Sequence, residues 1–134
     1  MLDASLAMDA YIASDRYRHL QQLESIINDS GDVIFSLDNE LRFRSWNHAA
    51  ERVFGWSAAE IFGKHLSVIM PPELLKGGEL ARIDEQIRQH GHYHLETVRL
   101  SRDGRQVPVD VTVSELHDPQ GNPIGRSAIL RDIT

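Results

Sequence analysis

The stretch Trp46-Asn47-His48-Ala49-Ala50-Glu51-Arg52-Val53-Phe54-Gly55-Trp56-Ser57 decides how this chain folds. Asn47 is a good N-cap before a short helix, and Gly55, one residue after Phe54, closes it. Ser57-Ala58-Ala59-Glu60 is a capping-box pattern that opens a second helix. Gly63 ends that helix, and Met70-Pro71-Pro72 stops the next turn. Short helical turns broken at each glycine or proline cannot bury their apolar side chains alone. They need a sheet beneath them, and the flanking sequence supplies one.

On the N-terminal side, Val33 to Leu37 is a short apolar strand. Asp38-Asn39-Glu40 is a tight turn, and Leu41 to Trp46 alternates as a second strand, making a hairpin. On the C-terminal side, Leu74 and Leu75 lead to Lys76-Gly77-Gly78. Glu79 to Gln89 is a helix with Leu80, Ile83 and Ile87 on one face. From Tyr93 the period changes to two. Tyr93 to Ser101 is a strand, and Arg102-Asp103-Gly104-Arg105 is a hairpin turn. Val107, Val109, Val111 and Val113 then alternate with polar residues, the mark of a half-buried strand. Asp118 to Asn122 is another turn, and Ile124 to Ile133 the last strand. The order is two strands, several short helices, then three strands. It predicts an α+β domain, an antiparallel sheet with helices grouped on one face.

Before this unit lies a segment of different character. Residues 3 to 28 contain no glycine or proline and read as an amphipathic helix. Leu6, Ala13, Leu20 and Ile27 recur every seven residues, and Leu23 strengthens the last turns. That repeat favours a dimer seam, while the same residues also suit a cap on the chain's own domain. Residues 1–28 are therefore read as a dimerisation helix and residues 29–134 as the domain proper.

The bulk numbers narrow the function. The 134 residues suffice for one domain with a real core. The net charge of −6 gives no support for nucleic-acid or anionic-membrane binding. The chain has no cysteine, which removes disulfides, thiolate metal sites and cysteine nucleophiles. No apolar run approaches the ~18 residues of a membrane span. A soluble, cytoplasmic domain is the expectation. No Gly-x-Ser-x-Gly and no phosphate-cradling loop occurs, and no catalytic constellation is found, so the chain is not expected to be an enzyme.

The quoted stretch, with Glu60-Ile61 and Gly63-Lys64, Met70-Pro71-Pro72-Glu73, Glu96-Thr97 and Arg99, Arg102-Asp103-Gly104 and Arg131-Asp132-Ile133-Thr134, resembles a PAS domain. The likeness covers residues 24 to 134. It implies a five-stranded antiparallel sheet of order 2-1-5-4-3, with helices cradling a small pocket. It also implies a bacterial sensor that dimerises and passes a signal to a C-terminal output domain, such as a histidine kinase or a diguanylate cyclase. The closing Arg131, Asp132 and Thr134 then stand at the signal junction.

The family's ligands differ, so each is tested on residues. The flavin photochemistry of the light-sensing branch needs a cysteine and is excluded. Haem sensors of the family carry a histidine where this chain has Gly77-Gly78, so haem is not expected. Trp46 and Trp56 could approach a non-covalent flavin, but they suit a strand aromatic and a surface or interface aromatic better. His90, His92 and His94 alternate and could in principle hold a metal, but a polar, exposed loop and strand start explains them, and no metal site is expected. For an organic ligand the candidates are Phe54, Ile69, Met70, Ile83, Ile87, Leu95, Val111, Val113, Ala128 and Leu130, most of which a filled core would also need. His48 and Arg99 are the polar groups expected nearest such a pocket. No cofactor is predicted, and two functions stand: a small-molecule sensor, or a ligand-free dimerisation module.

Overall fold

The computed structural model describes residues 31–134. The seam residues Leu6, Ala13, Leu20, Leu23 and Ile27 lie outside them. In chain order come β1 (Val33–Leu37), β2 (Phe43–Trp46), α1 (His48–Phe54), α2 (Ala58–Ile61), a 3-10 helix (Leu66–Ile69), α3 (Pro72–Lys76), α4 (Glu79–His90), β3 (His92–Leu100), β4 (Gln106–His117) and β5 (Pro123–Asp132). The strands form one sheet in the order β2-β1-β5-β4-β3, and the pairings within it are antiparallel.

Period two sets the two faces of the sheet. Val33, Phe35 and Leu37 of β1, Val107, Val109, Val111 and Val113 of β4, and Ala128 and Leu130 of β5 are buried. They meet Phe54, Ile61, Ile69, Ile83 and Ile87 from the helices in one core. An aromatic cluster anchors one end. Phe43 lies edge-on to Phe35 and to Trp46, each at 5.1 Å between ring centres, and Trp46 is 5.9 Å from Phe54.

The decisive stretch folds by its local chemistry. Asn47 Oδ1 accepts from Ala50 N and caps α1. The same oxygen accepts from Ile34 N, and Nδ2 donates to Asp32 O, so this cap also rivets the helix to β1. Gly55 ends α1 in the left-handed region. Ser57 and Glu60 close the capping box of α2 in both directions.

Two expectations change. Alternation places Leu41 in a strand, but it sits at φ 62° in the turn, and β2 begins at Phe43. Asp38 Oδ1 accepts from both Glu40 N and Arg42 N, which extends the turn past Leu41. The proline pair reads in sequence as a stop. It does end the 3-10 helix, but Pro72 is also the first residue of α3. Proline lacks only an N–H that a first helical position leaves unpaired, so it starts a helix as readily as it ends one.

Candidate functional site

The inner sheet face and α4 enclose a cavity of about 30 Å³. That is room for roughly one or two waters, against ~300 Å³ or more for a drug-sized ligand pocket. Its walls are Phe35 and Leu37 from β1, Leu66, Ile83, Arg99, Val111 and Val113, and Arg126, Ala128 and Leu130 from β5. Of the ten pocket candidates, Ile83, Val111, Val113, Ala128 and Leu130 line it. Phe54, Ile69, Met70 and Ile87 are buried elsewhere in the core, and Leu95 is half-buried against it.

The polar groups carry the surprises. His48 is exposed in the first turn of α1 and is not a pocket residue. Arg99 is buried, with its side chain only 4% exposed. It reaches the cavity because Tyr93, Leu95, Thr97 and Arg99 pair with Val113, Val111, Val109 and Val107 on the inner side. Its Nη1 donates to Glu79 Oε1 at 2.7 Å and to Val98 O. Glu79, the first residue of α4, also accepts from Thr97 Oγ1. Burial pulls the Arg99 pKa below its usual value, and the Glu79 charge opposes that pull. Glu79 itself was not a candidate. An acid in a helix's first turn normally reads as a dipole partner, and its contact with Arg99 depends on strand register.

Arg126 was also missed. Counting back in twos from Leu130 and Ala128 places it on the inner face. Its Nη2 lies 2.7 Å from Asp84 Oδ1 of α4. That oxygen is enclosed yet has no hydrogen bond among the described residues, so this is an ion pair without hydrogen-bond alignment.

A second concavity, of about 430 Å³, is an open groove lined by Arg52, Val53, Phe54, Gly55, Ser101, Arg102, Asp103 and Arg105. Its arginines are partly engaged. Arg102 pairs with Glu60 at 2.7 Å and lies 4.7 Å over the ring of Trp56, and Arg105 donates to Val53 O. Trp56 is half-buried beneath that guanidinium. His92 and His94 are exposed on β3, with His94 against Asp110, and His90 ends α4. Among the described residues no three such side chains converge as metal ligands.

At the C-terminal end Arg131 is 70% exposed and lies 3.9 Å from Asp32, at the limit of an ion pair. Asp132 accepts from Thr134 N at 2.9 Å and from Thr134 Oγ1. Those bonds hold its carboxyl below the usual range, with a smaller contribution from the Arg105 charge. A side-chain oxygen accepting from the N–H two residues on is an Asx turn, a geometry that a helix N-cap shares. No helix among the described residues is long and apolar enough to cross a membrane.

The chain is 27% identical over 127 residues to the two-component system protein A of Emericella nidulans. It is 29% identical over 126 residues to the cell-division control histidine kinase PdhS of Brucella ovis. These alignments take in 93% and 87% of this chain but only 18% and 11% of those proteins. Among solved structures, the PAS domain of a protein from Colwellia psychrerythraea superposes with a TM-score of 0.81 at 20% identity, covering 87% of this chain and 98% of that one. The family model described as the PAS fold matches residues 21–133, and with the sheet order and helix arrangement above, this chain belongs to the PAS family.

Proposed function

We propose that this domain is the sensory module of a longer, cytoplasmic signalling protein of the two-component kind. It works as a homodimer through the seam of Leu6, Ala13, Leu20, Leu23 and Ile27. It drives an output domain of histidine kinase or diguanylate cyclase type that follows Thr134, and it is not itself catalytic. The observation that carries this reading is the course of β5. Arg126, Ala128 and Leu130 of that strand line the cavity, and Asp132 two residues on makes the capping turn with Thr134. A change in the cavity therefore has one short, stiff route to the C-terminal junction. Kinship to parts of a two-component protein and a histidine kinase supports the kinase alternative. A signal would act by biasing an equilibrium the output already has.

The test fuses the full chain to a histidine kinase core and measures autophosphorylation. Ala128→Leu, which fills the cavity, and Asp132→Ala, which removes the cap, should each change activity roughly tenfold, the effect of ~1.4 kcal/mol on a two-state equilibrium. If both variants match the parent, the relay reading fails. Sedimentation of the chain alone tests the seam: a dimer is expected, and Leu20→Asp should give monomers.

A second reading is favoured by the size of the cavity. At about 30 Å³ the interior is nearly filled, as a ligand-free dimerisation module would be. Native mass spectrometry separates the two. Extra mass on each chain supports the sensor, and a clean dimer mass that no added small molecule perturbs supports the module.

A further inference from the structure

We infer that the cavity is a site for a small monocarboxylic acid, read by Arg126, and that Asp84 of α4 occupies the place of the ligand's carboxylate. This rests on the sensory reading above and names the ligand class for the same cavity.

The walls are apolar except for two side chains, Arg99 and Arg126. Cations beside an apolar cavity are costly, and a merely filled core would use apolar residues there. Each arginine faces one carboxylate, and both carboxylates come from α4. The two pairs differ. Arg99 and Glu79 are deeply buried, hydrogen-bonded, and supported by Thr97. Arg126 and Asp84 are 18% and 40% exposed, so water and solutes reach them. Their contact is also misaligned, with Asp84 Oδ1 enclosed but accepting no hydrogen bond among the described residues.

A free carboxylate can present both oxygens to a guanidinium, in a fork that a tethered Asp84 does not achieve here. Its arrival displaces Asp84 to solvent, on the exposed side of the pair. Arg126 keeps one carboxylate partner throughout the swap, so no unpaired cation is left beside the cavity. The wall that would yield is α4. Ile83 and Ile87 are its buried apolar side chains, and Gly78 and Gly91 flank it. With about 30 Å³ behind the arginine, the tail is short, of about two carbons.

The experiment titrates the 134-residue chain with sodium propionate and, separately, with propionamide, at pH 7 and fixed ionic strength. Methyl resonances of Val111, Val113 and Leu130 are followed by NMR. Propionate should shift them saturably and propionamide should not. Arg126→Gln should weaken propionate binding at least roughly tenfold. Asp84→Asn, which removes the resident competitor, should tighten it by about fivefold or more. Equal binding of the amide, no saturation in either the parent or Asp84→Asn, or unchanged affinity in Arg126→Gln would each overturn the inference. If Arg126→Gln does not fold, the amide comparison and Asp84→Asn still decide. Propionate that binds as expected but leaves the kinase fusion unaffected would defeat the sensory reading alone. A fusion that responds to Ala128→Leu in a chain indifferent to propionate would defeat the ligand class alone.

Discussion

Replacing Glu79 by alanine strips the Arg99 guanidinium of its counter-charge inside the protein. The two side chains are 7% and 4% exposed, so little solvent screening softens the loss. Breaking a buried pair by removing one partner costs about 3–5 kcal/mol, because the remaining charge stays desolvated. Thr97 loses its acceptor in the same step. For a domain of this size, ~1 kcal/mol corresponds to roughly 3–5 °C of melting temperature. Glu79→Ala should therefore melt roughly 10–20 °C below the parent. Urea unfolding followed by circular dichroism and Trp fluorescence measures the same loss as a lower midpoint at unchanged slope. The double variant Glu79→Leu with Arg99→Met removes both charges and keeps the volume. It should recover most of the loss, within about 1 kcal/mol of the parent. A cost below ~1 kcal/mol for Glu79→Ala would mean that Arg99 finds water in the cavity. A double variant as unstable as the single would mean that shape, not charge, holds this corner. Either result refutes the argument.

Three further outcomes are expected. Gly125 has φ 149°, and a Cβ there would lie 2.1 Å from Leu37 O, a backbone atom of β1 that cannot step aside; Gly125→Ala should cost more than ~2 kcal/mol in urea unfolding. Asn47→Ala removes the acceptor for both Ile34 N and Ala50 N and the donor to Asp32 O, and should cost about 2–4 kcal/mol in urea unfolding. Glu60 is held down to about 2, first by the Ser57 backbone N–H and then by Arg102. A depressed carboxyl adds stability above its unfolded value of 4.5 and loses it as pH falls toward 2. The stability gap between the parent and Glu60→Gln should thus be constant above pH ~5.5 and close progressively below it, as read by melting temperature across that range.

What could be read from the sequence was what local chemistry decides. The cap of Asn47 on Ala50, Gly55 and the Ser57–Glu60 pair act within four residues of themselves, so those roles are visible without a partner, whereas the bonds of Asn47 to Ile34 and Asp32 are not. The valines of β4 declare their face by alternation alone. Pro71-Pro72 misled because proline both ends one helix and starts the next, and only the chain beyond it tells which. Glu79 and Arg99 are 20 residues apart, on a helix and an edge strand, and their meeting depends on how α4 lies across the sheet. Arg126 was one step of period-two counting away, but a charged residue in a strand is ordinarily assigned to the wet face. The five pocket candidates that line the cavity and the other five were alike in sequence. Apolar residues facing one core differ only in where packing leaves a gap.

The two ion pairs do something the apolar contacts of α4 do not. Ile83 and Ile87 press the helix onto the sheet, but apolar surfaces slide, and two isoleucines specify no register. Glu79–Arg99 ties the start of α4 to β3, at the sheet's edge. Asp84–Arg126, five residues on, ties the helix to β5, the central strand. Buried or half-buried pairs add little net stability, and their better-attested use is to fix one arrangement among several of similar energy. Here the arrangement fixed is the position of α4 over the cavity. The Asp84–Arg126 pair is the weaker of the two, and it touches the strand that leads through Ala128 and Leu130 to Asp132. A helix held firmly at its first residue and loosely at mid-length can swing about that first residue. That pivot would release Arg126 while Arg99 keeps Glu79. Loss of the Glu79–Arg99 pair should therefore unfold this corner, whereas loss of the Asp84–Arg126 pair should leave the fold intact and alter β5 alone.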